Sequence, residues 1–240
     1  MILPAAMTNS NLRPNPLVYV VLPAWNEAKV LQDVLTEIRS TGYSNIIVVD
    51  DGSKDATFEV AKSIPGATVL QHRLNRGKGA ATKTGIEAAK LLSADIIVTM
   101  DSDGQHNPND IKHLIQPIQE GRADVVLGSR LIDPQGMPKH KVLANWIGNL
   151  ITWYFYGLWV TDSQSGFRAY SKKAAHLIDT RSDRYDYESE VIRELRLHRL
   201  SFVEIPVEVR YTSYSMGKPE RQSFINGLKT FGRILWRLFT

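Results

Sequence analysis

The chain contains no cysteine, so it can form neither a disulfide nor a thiolate metal site, and composition leaves its redox compartment open. It has no internal repeat and no low-complexity tract. No dense basic tract interleaved with aromatics occurs, and the net charge is only +4. Nucleic acid is therefore not expected as a partner, whereas nucleotide diphosphates, lipid phosphates and a membrane surface suit a mildly basic protein. There is no Walker A loop, and no dinucleotide fingerprint follows the first apolar run. No spacing supports Ser/His/Asp or Cys/His catalysis; His72, His106, His113, His140, His176 and His198 are scattered. Residues 1–16 lack the basic start and apolar core of a signal peptide and read as a flexible lead-in, which places the site in the cytosol.

What is present is an ordinary globular balance, 43% hydrophobic and 22% charged over 240 residues, enough for one large α/β domain or two small ones. The sequence is organised around residues 96–105, Ile-Ile-Val-Thr-Met-Asp-Ser-Asp-Gly-Gln. A β-branched run of this kind reads as a buried parallel strand. It stops at Asp101 and Asp103, whose alternation in an extended segment would send both carboxylates to one side. Paired carboxylates repel unless a cation lies between them, and a hard divalent ion such as Mg²⁺ or Mn²⁺ is the simplest partner. A loop of solvated acids is the plain alternative.

Strands and helices alternate on either side of this stretch. Residues 17–22, 46–49, 68–70 and 124–127 read as further strands, and the helices between them carry apolar residues at helical spacing, as with Val30, Leu31, Val34, Leu35 and Ile38. Asp55 is placed to cap the second helix. This alternation predicts a mostly parallel sheet with helices on both faces, spanning residues 17–220. Three strands end in or near acids, at Glu27, at Asp50 and Asp51, and at Asp101 and Asp103, all on the edge where ligands bind. The loop Arg73-Leu74-Asn75-Arg76-Gly77-Lys78-Gly79 opens a helix and offers N–H groups and positive charge to an anion; an ordinary capped helix is its alternative.

After Arg130 the composition changes. Lys139, His140 and Lys141 precede a charge-free run, residues 142–161, containing Trp146, Trp153, Tyr154, Phe155, Tyr156 and Trp159. Interruption by Asn145, Gly148, Asn149, Thr152 and Gly157 disfavours a membrane span; a membrane-facing helix and a buried helix hairpin are left equally open. Residues 161–168 read as a polar turn with one acid, Asp162, and one base, Arg168. Asp186, Glu188 and Glu190 fall near a helix start. A late strand, residues 202–209, is assigned to a sheet edge because Pro206 lies inside it. Within residues 221–240, Phe224, Leu228, Phe231, Leu235, Leu238 and Phe239 share one helical face, and Lys229, Arg233 and Arg237 another. Such a basic amphipathic helix suits an anionic membrane surface, with packing against the protein body or a membrane-protein partner as the alternative.

Taken in order, Leu-Pro-Ala-Trp-Asn-Glu (22–27), Val-Asp-Asp-Gly-Ser (49–53), Asn-Arg-Gly-Lys-Gly (75–79), Asp-Ser-Asp-Gly-Gln-His (101–106), Gly-Ser-Arg (128–130) and Asp-Ser-Gln-Ser-Gly-Phe-Arg (162–168) resemble the family 2 glycosyltransferases of GT-A (Rossmann-like) fold, and within them the dolichyl- and polyprenyl-phosphate sugar synthases. The resemblance implies that Pro23, Trp25, Glu27, Val49 and Asp51 hold the nucleoside. It implies that Asp101, Asp103 and Gln105 serve the metal and that Ser102 lines the donor site. Arg130, Arg210 and Lys218 would bind phosphates of donor or acceptor. Trp25 stands where Tyr is common, and the spacing from Arg210 to Lys218 is longer than in the mannose synthases.

The reaction so implied is metal-dependent, inverting transfer of a sugar from GDP-mannose or a UDP-sugar to a polyprenyl phosphate. Lys78 and Arg130 would assist departure of the diphosphate, and Arg130 and Arg168 would place the acceptor phosphate. Asp103 is expected to be indispensable. The enzyme would sit peripherally at the cytoplasmic face of a membrane, anchored by the aromatic run and the terminal helix. Two alternatives stand beside it: a hydroxyl acceptor with Asp162 as base, and an inactive nucleotide-binding or membrane-docking protein.

Overall fold

The structure is a computed structural model describing residues 15–134, 137, 139–184, 186–210 and 214. Residues 1–14 of the lead-in, Lys218 and the 221–240 helix named above lie outside the described residues. The strands are β1 (Val18–Ala24), β2 (Ile46–Asp50), β3 (Thr68–Gln71), β4 (Ile96–Thr99), β5 (Val125–Ser129), β6 (Arg168–Ser171) and β7 (Phe202–Pro206). The helices are α1 (Leu31–Ser40), α2 (Thr57–Ser63), α3 (Lys78–Leu91), α4 (Ile111–Gln119), α5 (Lys139–Tyr156), α6 (Lys172–Leu177) and α7 (Tyr187–Leu197).

All seven strands form one sheet in the order β3-β2-β1-β4-β6-β5-β7. Strand alternation separates two cores. Val20, Leu22 and Val48 pack on one face with α1 and α4; Val21, Ile47 and Val49 pack on the other with α3, α6 and α7. This is the two-faced cover that continuous β-branched runs demand. β7 lies at the edge, as Pro206 requires.

One expectation is corrected. Residues 161–168 do not end in a simple turn, because Arg168 begins β6, which runs antiparallel between β4 and β5. The five expected strands are therefore not contiguous. Antiparallel pairing needs no long crossover helix, so a short strand whose buried members include Arg168 and Tyr170 leaves no long apolar run in the sequence.

The order fixes where ligands enter. From β1 the chain winds outward through β2 and β3, then returns to place β4 on the other side of β1. The carboxyl ends of β1 and β4 therefore open a crevice at the topological switch point, the position where open α/β sheets bind ligands.

Candidate active site

Asp101 lies just beyond β4, at this crevice. The Ser102 hydroxyl donates to the Pro23 carbonyl at 2.8 Å and ties the end of β4 to that of β1. Ser102 is buried, so it braces the crevice wall. Lys78, the first residue of α3, places Nζ 2.6 Å from Asp101 Oδ1 and 2.9 Å from Glu188 Oε1. Burial alone would pull the Lys78 ammonium down, but the two carboxylates outweigh it and its pKa is raised. Burial would likewise raise Asp101, but Lys78 and His106 hold it well below the usual carboxylate range. Gly166 keeps this space open: a Cβ there would stand 2.6 Å from Lys78 Nζ and 2.8 Å from Asp101 Oδ1.

Sequence reasoning missed two members of this cluster. Glu188 read as an acid favouring the start of α7. His106 read as one of several scattered histidines, yet it is buried, sits 3.5 Å from Asp101 through Nε2, and packs on Phe167 with ring centroids 4.8 Å apart. Its position in the Asp-Ser-Asp-Gly-Gln-His motif was the available signal.

The alternation argument for Asp101 and Asp103 does not hold. β4 ends at Thr99, and the chain turns through Ser102, Asp103 and Gly104, the last at φ +78°. Asp103 Oδ1 accepts the Gln105 N–H at 3.0 Å and stiffens that turn, while the Gln105 carbonyl accepts the Arg210 N–H. Among the described residues no group of three or more His, Cys, Asp or Glu side chains forms a cage for a metal ion. An ion of the Mg²⁺ type does not require one, because it binds through one or two carboxylates and completes its shell with water and substrate phosphates. Asp101, with an oxygen-donor carboxylate in a space that Gly166 leaves open, fits as one such ligand.

The glycine loop meets an anion, but that anion is the protein's own. Asp51 is buried; its Oδ1 accepts the Arg76 N–H at 3.0 Å and its Oδ2 the Gly77 N–H at 2.7 Å, and His72 Nδ1 lies 2.7 Å from Oδ1. The carboxylate thus occupies the N-terminus of α3. Gly77, at φ +112°, passes so close to the Asp183 carbonyl that a Cβ would lie 2.4 Å from it. The loop is a packing device more than an open phosphate cradle, and Arg76 pairs outward with Asp183. Val49 is fully buried with its side chain in the core, so only its backbone can meet a ligand. Pro23 and Glu27 are buried and Trp25 is half-buried, all at or just beyond the end of β1; the Glu27 N–H donates to Thr57 Oγ1.

The arginines divide. Arg130 follows β5, and its guanidinium makes a bidentate pair with Asp162 through Nε at 2.6 Å and Nη2 at 2.9 Å; its backbone N–H donates to the same carboxylate. Burial would raise Asp162, yet Arg130 holds it below the usual carboxylate range. Asp162 is 1% exposed and engaged by Arg130, which weighs against it as the base of the hydroxyl-acceptor alternative. Arg168 is also 1% exposed. It donates to the carbonyls of Ser163, Ser165 and Glu188, so it fastens the turn to α7, with its guanidinium engaged by backbone. Arg210 pairs with Glu37 of α1 at 2.6 Å.

The aromatic run forms α5, and its polarity is reversed. Asn149 and Thr152 are buried, whereas Leu143, Trp146, Ile147, Leu150, Trp153 and Tyr154 are exposed. Asn149 accepts from the Ser163 N–H and hydroxyl at 2.9 Å, and donates to the Thr161 carbonyl. The buried-hairpin alternative is thereby set aside for this helix.

Comparison with known proteins agrees with this architecture. The sequence profile of Glycosyl transferase family 2 matches residues 19–178. An uncharacterized protein of Methanocaldococcus jannaschii is 42% identical over 228 residues, 92% of this chain and 93% of its own length. A UDP-N-acetylglucosamine–dolichyl-phosphate N-acetylglucosaminyltransferase of Methanococcus voltae is 38% identical over 91% of this chain and 95% of its own. Among solved structures, glucosyl-3-phosphoglycerate synthase of Mycobacterium tuberculosis, crystallised with Mn²⁺, UDP and phosphoglyceric acid, superposes with a TM-score of 0.66 at 23% identity, covering 91% of this chain and 75% of that one.

Proposed function

The chain belongs to glycosyl transferase family 2, and from that premise we propose that it moves one sugar from a nucleotide diphosphate sugar to a polyprenyl or dolichyl phosphate at a membrane surface. A UDP-sugar is the favoured donor, because the methanogen relative is named for UDP-N-acetylglucosamine and dolichyl phosphate; GDP-mannose is the other. The observation that carries the reading is the Asp101–Lys78–Glu188 cluster at the switch-point crevice, in which a buried Glu188 and a partly exposed Asp101 share one ammonium.

Asp101 and the Asp103 turn would hold Mg²⁺ or Mn²⁺, which when bound neutralises charge on the departing diphosphate. Lys78 keeps its ammonium charged in the same crevice and adds to that neutralisation. Pro23, Trp25, Glu27, the Val49 backbone and the Asp51-braced loop form the wall against which the nucleoside rests. Arg130 has its guanidinium plane fixed by Asp162, so its charge is in place before an acceptor phosphate arrives. That phosphate is largely ionised near neutral pH, since its second pKa is about 6. It attacks the anomeric carbon without a general base, and a single displacement inverts the centre. Arg210 and Lys218 remain further candidates for phosphate contact.

The burial of Asp162 disfavours a hydroxyl acceptor. The outer face of α5 favours a lipid one: apolar and aromatic side chains at successive turns suit the headgroup level of a bilayer. Among the described residues no helix is long and apolar enough to cross a membrane, so contact along the cytoplasmic surface is the form of association proposed.

The test is incubation with UDP-N-acetylglucosamine, UDP-glucose or GDP-mannose, a short polyprenyl phosphate in vesicles, and Mg²⁺ or Mn²⁺. Mass analysis should show the lipid gaining one sugar. Transfer only to water or to a hydroxyl acceptor, or no transfer from any donor, would overturn the reading.

A further inference from the structure

Lys78 is held by two acids where one would neutralise it. Asp101 and Glu188 come from different elements, the turn after β4 and the first turn of α7, and meet only at Nζ. Glu188 is 3% exposed, so its carboxylate has been removed from water to stand beside another, an arrangement that is unfavourable without a cation. The ammonium takes the place on Asp101 Oδ1 that a divalent ion would claim. If Asp101 were the sole partner of Lys78, an arriving ion would leave a largely buried ammonium uncompensated, and binding there would be disfavoured.

We propose that Lys78 and the divalent cation compete for Asp101, and that Glu188 is the positioning residue that sets the outcome by giving Lys78 a second carboxylate. This rests on the reading of Asp101 as a metal ligand. Glu188 then acts through Lys78 and touches no substrate. Gly166 belongs to the same device, since any side chain there would strike both Lys78 Nζ and Asp101 Oδ1.

The experiment is a Mn²⁺ titration followed by electron paramagnetic resonance, which counts free and bound ion without catalysis. Wild type, Asp101→Asn, Lys78→Met and Glu188→Gln are compared with and without UDP, each checked for folding by thermal melt. Lys78→Met should bind Mn²⁺ alone about tenfold more tightly than wild type, because the resident cation is gone. Glu188→Gln should bind it about tenfold more weakly, because Lys78 is left to Asp101. If the pair merely maintains the local structure, both variants shift the same way, and the proposal falls. Should Lys78→Met fail to fold, Lys78→Gln takes its place with the same expected sign. Asp101→Asn separates the two claims. If it binds Mn²⁺ as wild type does, the metal reading itself is wrong. If it loses binding while Lys78→Met and Glu188→Gln shift together, the metal reading stands and only the competition is refuted.

Discussion

The crevice beyond β4 and the outer face of α5 break the ordinary rule of burial in opposite directions. In the crevice, Asp101, Lys78 and Glu188 are charged groups largely withdrawn from water and matched to one another, and beyond β5 Arg130 and Asp162 form a second such pair. On α5, Trp146, Trp153 and Tyr154 stand in the open while Asn149 and Thr152 are buried beneath them. Buried charge is costly and is kept where charge must be handled. A contiguous exposed apolar face marks a surface meant for something other than water. Under the proposed function, the two regions would divide the task between an ionic donor and a lipid acceptor. The join is physical: Asn149 on the underside of α5 holds the turn that carries Asp162, which in turn holds Arg130.

The largest effect expected on the charged side comes from Arg130→Met. It should lower transfer by about 10²–10³-fold, the scale for losing one pre-placed electrostatic group. It also leaves Asp162 buried without its partner, at a cost of roughly 3–5 kcal/mol in stability. Adding Asp162→Asn should restore much of the stability, read by denaturant titration, and none of the transfer. Recovery of transfer in the double variant would show that the pair serves structure only.

On the apolar side, Trp146→Ser with Trp153→Ser should reduce binding to anionic vesicles by about tenfold or more per side chain, taking roughly 1.5 kcal/mol as the lower value for burying each. The melting temperature should fall less than for a core tryptophan, because these rings are about half exposed, though Trp153 packs edge-on against Trp159. An unchanged sedimentation profile would remove α5 from the membrane-facing role. The link between the regions predicts a smaller effect. Asn149→Ala should cost about 1–3 kcal/mol by leaving the buried Ser163 N–H without its acceptor, and should raise the KM for lipid phosphate more than that for the nucleotide sugar.

The smallest effect is on pH. Because the folded pKa of Asp162 is lowered, its pair with Arg130 stabilises the fold above the ordinary carboxylate range and is lost as pH falls below it. The double variant should therefore show a flatter decline of melting temperature below about pH 4. An acid limb as steep as wild type's would place the sensitivity elsewhere.

How much of this the sequence displayed follows the same division. β1 to β5 were legible because each is a short β-branched run, and α1 because Leu31, Val34, Leu35 and Ile38 repeat at the helical period. β6 was not, since its buried residues include an arginine whose partners are backbone carbonyls of the preceding turn and of Glu188. The carboxylate alternation failed because β4 ends at Thr99 and the chain is already turning at Ser102 and Asp103. Glu188 was hidden because an acid at a helix start has an adequate local explanation, and its pairing with Lys78 exists only after α3 and α7 meet. For α5 the composition named the residues but not the side they face: a helix that buries Asn and Thr and exposes Trp reads the same, by period alone, as one that does the reverse.

In the proposed function, the crevice at the carboxyl ends of β1 and β4 holds the nucleotide diphosphate through Asp101. Calorimetric titration of UDP and GDP, with and without Mn²⁺, into wild type and Asp101→Asn tests it directly. Nucleotide affinity should be at least tenfold higher with Mn²⁺ in wild type, and Asp101→Asn should lose that gain while still melting cooperatively. A folded Asp101→Asn protein that kept the full metal-dependent affinity would contradict it.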